Sequence, residues 1–323
     1  MIKKIDYWKR IISAYLFNNS SQLSFWHEEP MINDYDKNEI SQYYMVFSKK
    51  ADYMDILDDI GVPMLNYHGV IGKQYNPIAI SQWGLGNYNK WKNGKSKNHY
   101  DKFMISADWL VENLKKNSYG VYVWMHEFDF EYRDLLESPW YSGLAQGQGL
   151  SVLVRAYKET KNDTYLEVME KILISFKTDV NEGGVNFKDN ESNLWIEEYI
   201  VNPPTHILNG FIWGMWGLRD YYIYFNDEEI KKIFNKYSET ISKNLERYDL
   251  GYWSRYEISG TFLPMIASRF YHKLHICQLK IMFDLTKEKK YEYFSDKWEN
   301  YLNNRFFNLI ALFNKIIFKV FYY

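Results

Sequence analysis

TKNDTYLEVMEKI, Thr160–Ile172, returns later in the chain as TKEKKYEYFSDKW, Thr286–Trp298. Each copy is a polar turn followed by residues with the 3-4 spacing of a half-buried helix, so one structural unit is used at least twice. Apolar faces before and between the copies read the same way. They run through Phe103, Ala107, Leu110 and Leu114, through Leu150, Leu153, Val154 and Tyr157, and through Leu166, Met169, Ile172 and Leu173. Ile230, Ile233, Phe234, Tyr237 and Ile241 form another. Thr164 with Glu167, and Asn226 with Glu229, have the spacing of capping boxes that open two of these helices. Repeated helical hairpins with little strand signal predict a mainly α fold, an α/α toroid in which helix pairs close on themselves. An open helical solenoid is the competing architecture; the non-identical repeats and the long aromatic connectors favour closure. Residues 1–64, with little recognisable chemistry, form an N-terminal extension containing some strand, and 65–323 form the toroid.

Composition narrows the function. Lys+Arg 39 against Asp+Glu 41 argues against a nucleic-acid binder, which needs a basic surplus. Aromatic residues at 19%, with 30 tyrosines and 12 tryptophans, exceed the needs of a core and point to ring-lined clefts suited to sugars. The lone Cys277 rules out an internal disulfide and a cysteine zinc cluster. His272 and His275 have a metal-compatible spacing without acidic partners, so no metal or other cofactor is expected. GxSxG, P-loop and GxGxxG patterns are missing. The start, MIKKIDYWKRIISAYLF, lacks the apolar length and cleavage site of a signal peptide, and no stretch reaches the length of a membrane span. The expectation is a cytoplasmic protein with no stable membrane insertion. The apolar C-terminal tail is expected to be a closing amphipathic helix, contact with a membrane or a partner surface being the alternative.

The connectors carry the chemistry. In WIEEYIVNPPTHILNGFIWGMW, Trp195–Trp216, the acid pair Glu197 and Glu198 stands beside Tyr199. Pro203 and Pro204 then break the chain before an aromatic helix containing Asn209. In Val121–Gly149, a strand-like start leads through Trp140 and Tyr141 to Gln146, Gln148 and close-set glycines, before Arg155 in the following helix. Such amides and glycines suit either a polar ligand or tight helix packing. Tyr248–Ser259 supplies Tyr252, Arg255 and Tyr256, and Ala267–Leu279 supplies Arg269, Tyr271, His272 and His275. Arginines and amides suit an anionic sugar, since guanidinium pairs bidentately with carboxylate, and the tyrosines are then candidate acid-base groups.

PWYSGLAQGQGLSVLVRAY, EEYIVNPPTHILNGFIWGMWGLRDYY, WSRYEIS and FYHKLHICQL, in this order, resemble the D-glucuronyl C5-epimerase family in its shorter, microbial form. YNPIAISQWGLGNY upstream is similar to that family too, and the resemblance covers roughly residues 65 to 285. It implies epimerisation of D-glucuronate to L-iduronate within a heparosan- or heparan-like polysaccharide, by proton abstraction from one face of C5 and return to the other. An acidic polysaccharide is then the partner, and a homodimer is one expected assembly. By the resemblance, Glu198 and Tyr199 are the acid-tyrosine step, Tyr271 the tyrosine of the YH pair, and Tyr256, rather than Tyr252, the YDL tyrosine. Tyr199 and Tyr271 take the opposed proton-transfer roles, Glu198 activates or acts as second base, and Tyr256 donates to the carboxylate or transition state. Trp140, Tyr141, Gln146, Gln148, Arg155, Asn209, Arg255, His272 and His275 are the substrate-binding candidates. The chain departs from the family pattern in EEYI for EEYP and in Ser259-Gly260 where an arginine and histidine are expected, leaving Arg255 or Arg269 to clamp the carboxylate. A uronate polysaccharide lyase, through the same carbanion, and a non-catalytic glycan-binding toroid remain as alternatives. An inverting glycosidase using Glu198 with Asp129 or Glu131 is weaker.

Overall fold

The computed structural model describes residues 25–67, 70–132 and 135–322. Residues 1–24 of the expected extension lie outside them. The fold is mainly α, and its strands are short, paired two by two in antiparallel ladders. Nine long helices are described: α1 (Pro77–Gly94), α2 (Lys97–Glu112), α3 (Gly143–Thr160), α4 (Asp163–Lys177), α5 (Leu208–Phe225), α6 (Glu228–Tyr248), α7 (Arg269–Thr286), α8 (Lys289–Asn303) and α9 (Arg305–Tyr322).

The repeat that opens the sequence is a repeated turn. Thr160 and Thr286 each end a helix and donate their hydroxyls to the carbonyls of Ala156 (2.8 Å) and Met282 (2.7 Å). The next residue is left-handed in both, Lys161 at φ 55° and Lys287 at φ 59°. The residue after that caps the new helix, Asn162 accepting from Thr164 N and Glu288 from Lys290 N. Lys95 (φ 55°) before Ser96, and Asn226 (φ 53°) before Asp227, join the other two pairs by the same left-handed step. The caps therefore correct the expected capping boxes: Asn162 replaces Thr164 and Asp227 replaces Asn226. A side-chain acceptor must sit just outside the first turn to reach its free N–H groups, and the left-handed residue places it there.

The described chain groups into two compact units. Of the described residues, the larger comprises those within 33–206 and 210–240, and the smaller 25–32, 207–209 and 241–322. In the larger unit, helices alternate in character. Residues 77–89 of α1, 143–156 of α3 and 210–220 of α5 are buried on every side, while α2 and α4 bury a single face, Phe103, Ala107 and Leu110 in one and Val168, Met169, Ile172 and Leu173 in the other. Leu114 falls beyond the end of α2. This is the pattern of an inner helix backed by an outer one. The inner helices approach at backbone distance: a β-carbon on Gly147 of α3 would stand 2.2 Å from the carbonyl of Gly214 of α5, and one on Gly217 would stand 2.1 Å from that of Gly147.

A strap, residues 33–51, is fixed to these helices by side chains that seek its backbone. Arg155 donates through Nε to Ser41 O (3.1 Å), Asn89 to Met45 O (2.9 Å), and Lys158 to Ile40 O. Beneath the strap, Arg155 forms an ion pair with Asp220 (2.6 Å) with both side chains 1% exposed. Tyr44 donates to the same carboxylate at 2.6 Å. The aromatic surplus is spent largely in such interiors, since Trp83, Trp124, Trp195, Trp216, Trp253 and Trp298 are all fully buried. The smaller unit packs α7 against α8, with α9 following and a loop from Asp249 to Ser268 folded on α7.

Candidate active site

Within the larger unit, a short hairpin, Asn186–Lys188 paired with Leu194–Ile196, leads directly into the acid pair. Glu197 turns inward. Its carboxylate accepts from the backbone N–H of Thr205 (3.2 Å) and His206 (3.0 Å) and contacts His206 Nδ1 at 2.5 Å. It thus closes the loop holding the cis Asn202-Pro203 bond, while His206, at φ 52°, stacks on Trp195 at 4.1 Å. The backbone is pinned on both sides, Glu197 N donating to Val185 O and Glu197 O accepting from Gly143 N, each at 3.0 Å.

Glu198 is buried against the first turn of α5, where a β-carbon on Gly210 would stand 2.0 Å from its Oε2. Burial pushes its carboxyl up from 4.5 to about 8; a hydrogen bond with Tyr199 opposes the shift and the charge of Glu197 adds to it. Its proton is therefore exchangeable near neutrality, as a group that both takes and returns protons requires. Tyr199 is half-buried among rings, 4.5 Å from Tyr132, 5.7 Å from Trp140 and 6.1 Å from Phe130, centroid to centroid. Trp140 is held from behind by His126, stacked at 3.7 Å, and its indole donates to Phe128 O (2.8 Å). Tyr141 next to it is half-buried, its hydroxyl pushed up to about 12 chiefly by burial.

The other candidates in this unit have core partners. Gln146 is fully buried and spans the Trp124 peptide, accepting from its N–H (2.9 Å) and donating to its carbonyl (3.2 Å). Gln148 is equally buried and accepts from Gln82 (3.0 Å). Arg155 is committed to Asp220 and the strap.

In the smaller unit, Tyr256 and Tyr271 meet edge to face with centroids 4.8 Å apart. Tyr256 follows from the loop, its N–H bonded to Met265 O (2.7 Å) and its carbonyl accepting the N–H of Leu208 (3.2 Å). Tyr271 stands in the first turn of α7, capped by Ser268. Tyr252 is half-buried and makes no ring contact with Tyr271 among those described. His272 and His275 are fully buried and serve this pair indirectly. His272 Nε2 donates to Trp298 O (3.0 Å), so its Nδ1 is the acceptor for Ser254 Oγ (2.7 Å) and Ser254 N (3.2 Å). Ser254 Oγ then accepts from His275 Nδ1–H (3.0 Å). Burial holds both imidazoles neutral, His275 pushed down to about 3 and His272 well below its usual value. One serine thus ties the Tyr256 loop to the helix that carries Tyr271. Asn209 is buried, its carbonyl accepting from Gln278 (2.9 Å). Arg255 is half-buried, and Arg269 bonds Asn308.

Several members of these groups were not singled out in the sequence. His206 and Gly210 lie within the quoted Trp195–Trp216 stretch, but only the loop closure shows their use. Glu257 is buried beside Tyr256 and accepts from Ser259. Lys315 of α9 is buried and donates to Ile266 O (2.8 Å), its amine pushed down to about 7 by burial and by Lys319, with Glu257 opposing. A lysine between apolar runs was its only sequence signal. Among the described residues no group of three or more His, Cys, Asp and Glu could hold a metal ion.

The family model described as D-glucuronyl C5-epimerase C-terminus matches residues 116–300. The chain belongs to this family. Over 223 residues, 64% of this chain, it is 31% identical to the D-glucuronyl C5-epimerase of Caenorhabditis elegans, and it spans 36% of that protein's length. A protein of Methanocaldococcus jannaschii described as uncharacterized is 25% identical over 284 residues, 82% of this chain and 89% of its own. Among solved structures, the cellobiose 2-epimerase from Spirochaeta thermophila superposes with a TM-score of 0.51 at 12% identity, over 79% of this chain and 65% of that one. At that identity the likeness bears on fold alone, and it agrees with the inner and outer helix pairs in assigning the α/α toroid class.

Proposed function

We propose that this member of the family epimerises D-glucuronate at C5 to L-iduronate within a heparosan-like polysaccharide. The observation that carries the reading is the Glu198–Tyr199 pair, a buried carboxyl titrating near 8 and hydrogen-bonded to a half-buried tyrosine in a ring-lined setting. The C5 proton lies α to a carboxylate and is very weakly acidic, so its removal needs a base and stabilisation of the developing dianion. The step starts from ionised Glu198: as the Tyr199 oxygen takes that proton, its own passes to the Glu198 carboxylate, and the pair ends protonated. Return of a proton to the opposite face completes inversion. Neither a redox change nor a leaving group is involved.

The test is incubation of the purified protein with heparosan-type glucuronan in deuterium oxide. Deuterium at C5 with iduronate signals by NMR, both abolished in Tyr199→Phe, is the expected result. Growth of unsaturated-uronate absorbance would instead identify a lyase, and binding without exchange would identify a glycan-binding protein.

A further inference from the structure

The larger unit carries an open cleft at the C-terminal end of α2. Met125 lines it, and Met125 precedes His126 on a strand whose register partners are Tyr141 and Trp140. Successive strand residues face opposite ways, so the cleft lies behind the ladder that presents Trp140 to Tyr199. One wall of the cleft is aromatic. Trp109, in the last turn of α2, and Tyr75 meet with centroids 5.7 Å apart and planes tilted by 38°, and Tyr75 is 36% exposed. The Tyr75 hydroxyl donates to Asp58 (2.7 Å), which fixes the ring. The cleft is small, about 60 Å³, so it admits one face of a single ring and not a length of chain.

The polar lining selects which ring. Gln74 and Asn113 spend their amide nitrogens inside the protein, on Ile71 O (2.8 Å) and Trp109 O (2.9 Å), and neither amide oxygen accepts a hydrogen bond from a described residue. Asn113 is the C-cap of α2, at the negative end of the helix dipole. Lys115, the cation of the lining, is paired with Glu127 at 2.8 Å. The cleft thus offers rings and acceptors, with its own charges matched. An anion would meet two amide oxygens, the helix end and Asp58. A cation would have to displace Lys115 from Glu127. A ligand with an apolar C–H face and donating hydroxyls suits both the wall and the acceptors. We propose that this cleft is a second saccharide site, holding one uncharged pyranose ring stacked on Tyr75 and Trp109, with its hydroxyls donating to Gln74 and Asn113.

Saturation-transfer NMR on the full chain tests this, with methyl β-glucoside as the uncharged probe, glucuronate as the anionic one and choline as the cationic one. Transfer is expected to the ring protons of the glucoside, exceeding that to the other two. Tyr75→Ala and Gln74→Ala should each weaken glucoside binding about fivefold. Gln74 is a half-buried side chain of a two-residue strand, so its variant keeps the test decisive should Tyr75→Ala fail to fold by circular dichroism. Absence of transfer overturns the proposal, as does equal or stronger transfer to glucuronate or choline. So does transfer to the glucoside that is unchanged in every folded variant, which would place the sugar elsewhere on the protein. Binding is read without turnover, so the result stands apart from the outcome of the C5 exchange assay.

Discussion

Replacing Glu198 by glutamine should stabilise the protein by an amount that grows with pH. In the folded chain the carboxyl titrates at about 8, against 4.5 for the same group in water. Between those values the folded protein keeps a proton that the unfolded chain has released, so wild-type stability falls as pH rises through the window and levels off above it. At about 1.36 kcal/mol per pH unit, the loss between pH 5 and pH 8 is about 3.5 kcal/mol, allowing for the curvature at each end. Glutamine is close in shape, still offers Tyr199 a hydrogen-bonding partner, and does not titrate. Urea unfolding followed by tryptophan fluorescence, on both proteins at intervals from pH 5 to pH 8, gives the difference directly, and other titrating groups cancel in it. The variant's advantage should widen by about 3.5 kcal/mol across the series while C5 exchange is lost. Parallel pH profiles would refute the reasoning, because they would mean that the carboxyl ionises in the folded chain as readily as in water.

Lys315→Met should show the opposite slope. The folded amine titrates at about 7 against the usual 10.5, so wild-type stability rises with pH between them, and the variant's advantage should shrink by about 3.5 kcal/mol from pH 7 to pH 10 in the same assay. Gly210→Ala should displace Glu198 from its seat, lowering stability by about 1–3 kcal/mol in urea and reducing C5 exchange more than the melting temperature shift alone explains. Arg155→Met, which leaves the Asp220 carboxylate buried without its cation, should lose about 3–5 kcal/mol, and Arg155→Met/Asp220→Leu should recover most of it. Ser254→Ala strands His275 Nδ1–H and removes a donor to His272, and thermal unfolding should report a loss of about 1–3 kcal/mol.

The architecture was legible because helical spacing and a recurring turn are local properties. TKND and TKEK are the same turn before a helix, as their spacing suggested, while the left-handed lysine and the cap that build it show only in the structure. The cap residues were displaced because a left-handed residue leaves no mark in sequence when it is lysine or asparagine rather than glycine. Glu198 and Tyr199 were legible as neighbours, but the burial that makes the glutamate titrate near neutrality depends on Gly210, which comes from another element. Gln146, Gln148 and Arg155 show the reverse. Their polar heads suggested a ligand, and each turns to groups distant in sequence: the Trp124 peptide, Gln82 and Asp220. Residue type alone does not distinguish a side chain reaching into a cleft from one satisfying a buried peptide.

The seat of Glu198 is steric. Gly210 leaves no space beyond its hydrogen, Gly143 admits the Glu197 backbone as closely, and the Glu197 carboxylate locks the loop that follows. A carboxyl held mainly by an opposite charge would move, or lose its partner, each time its proton came or went. One held by contact keeps its place in both protonation states, so its proton can come and go without the loop reorganising.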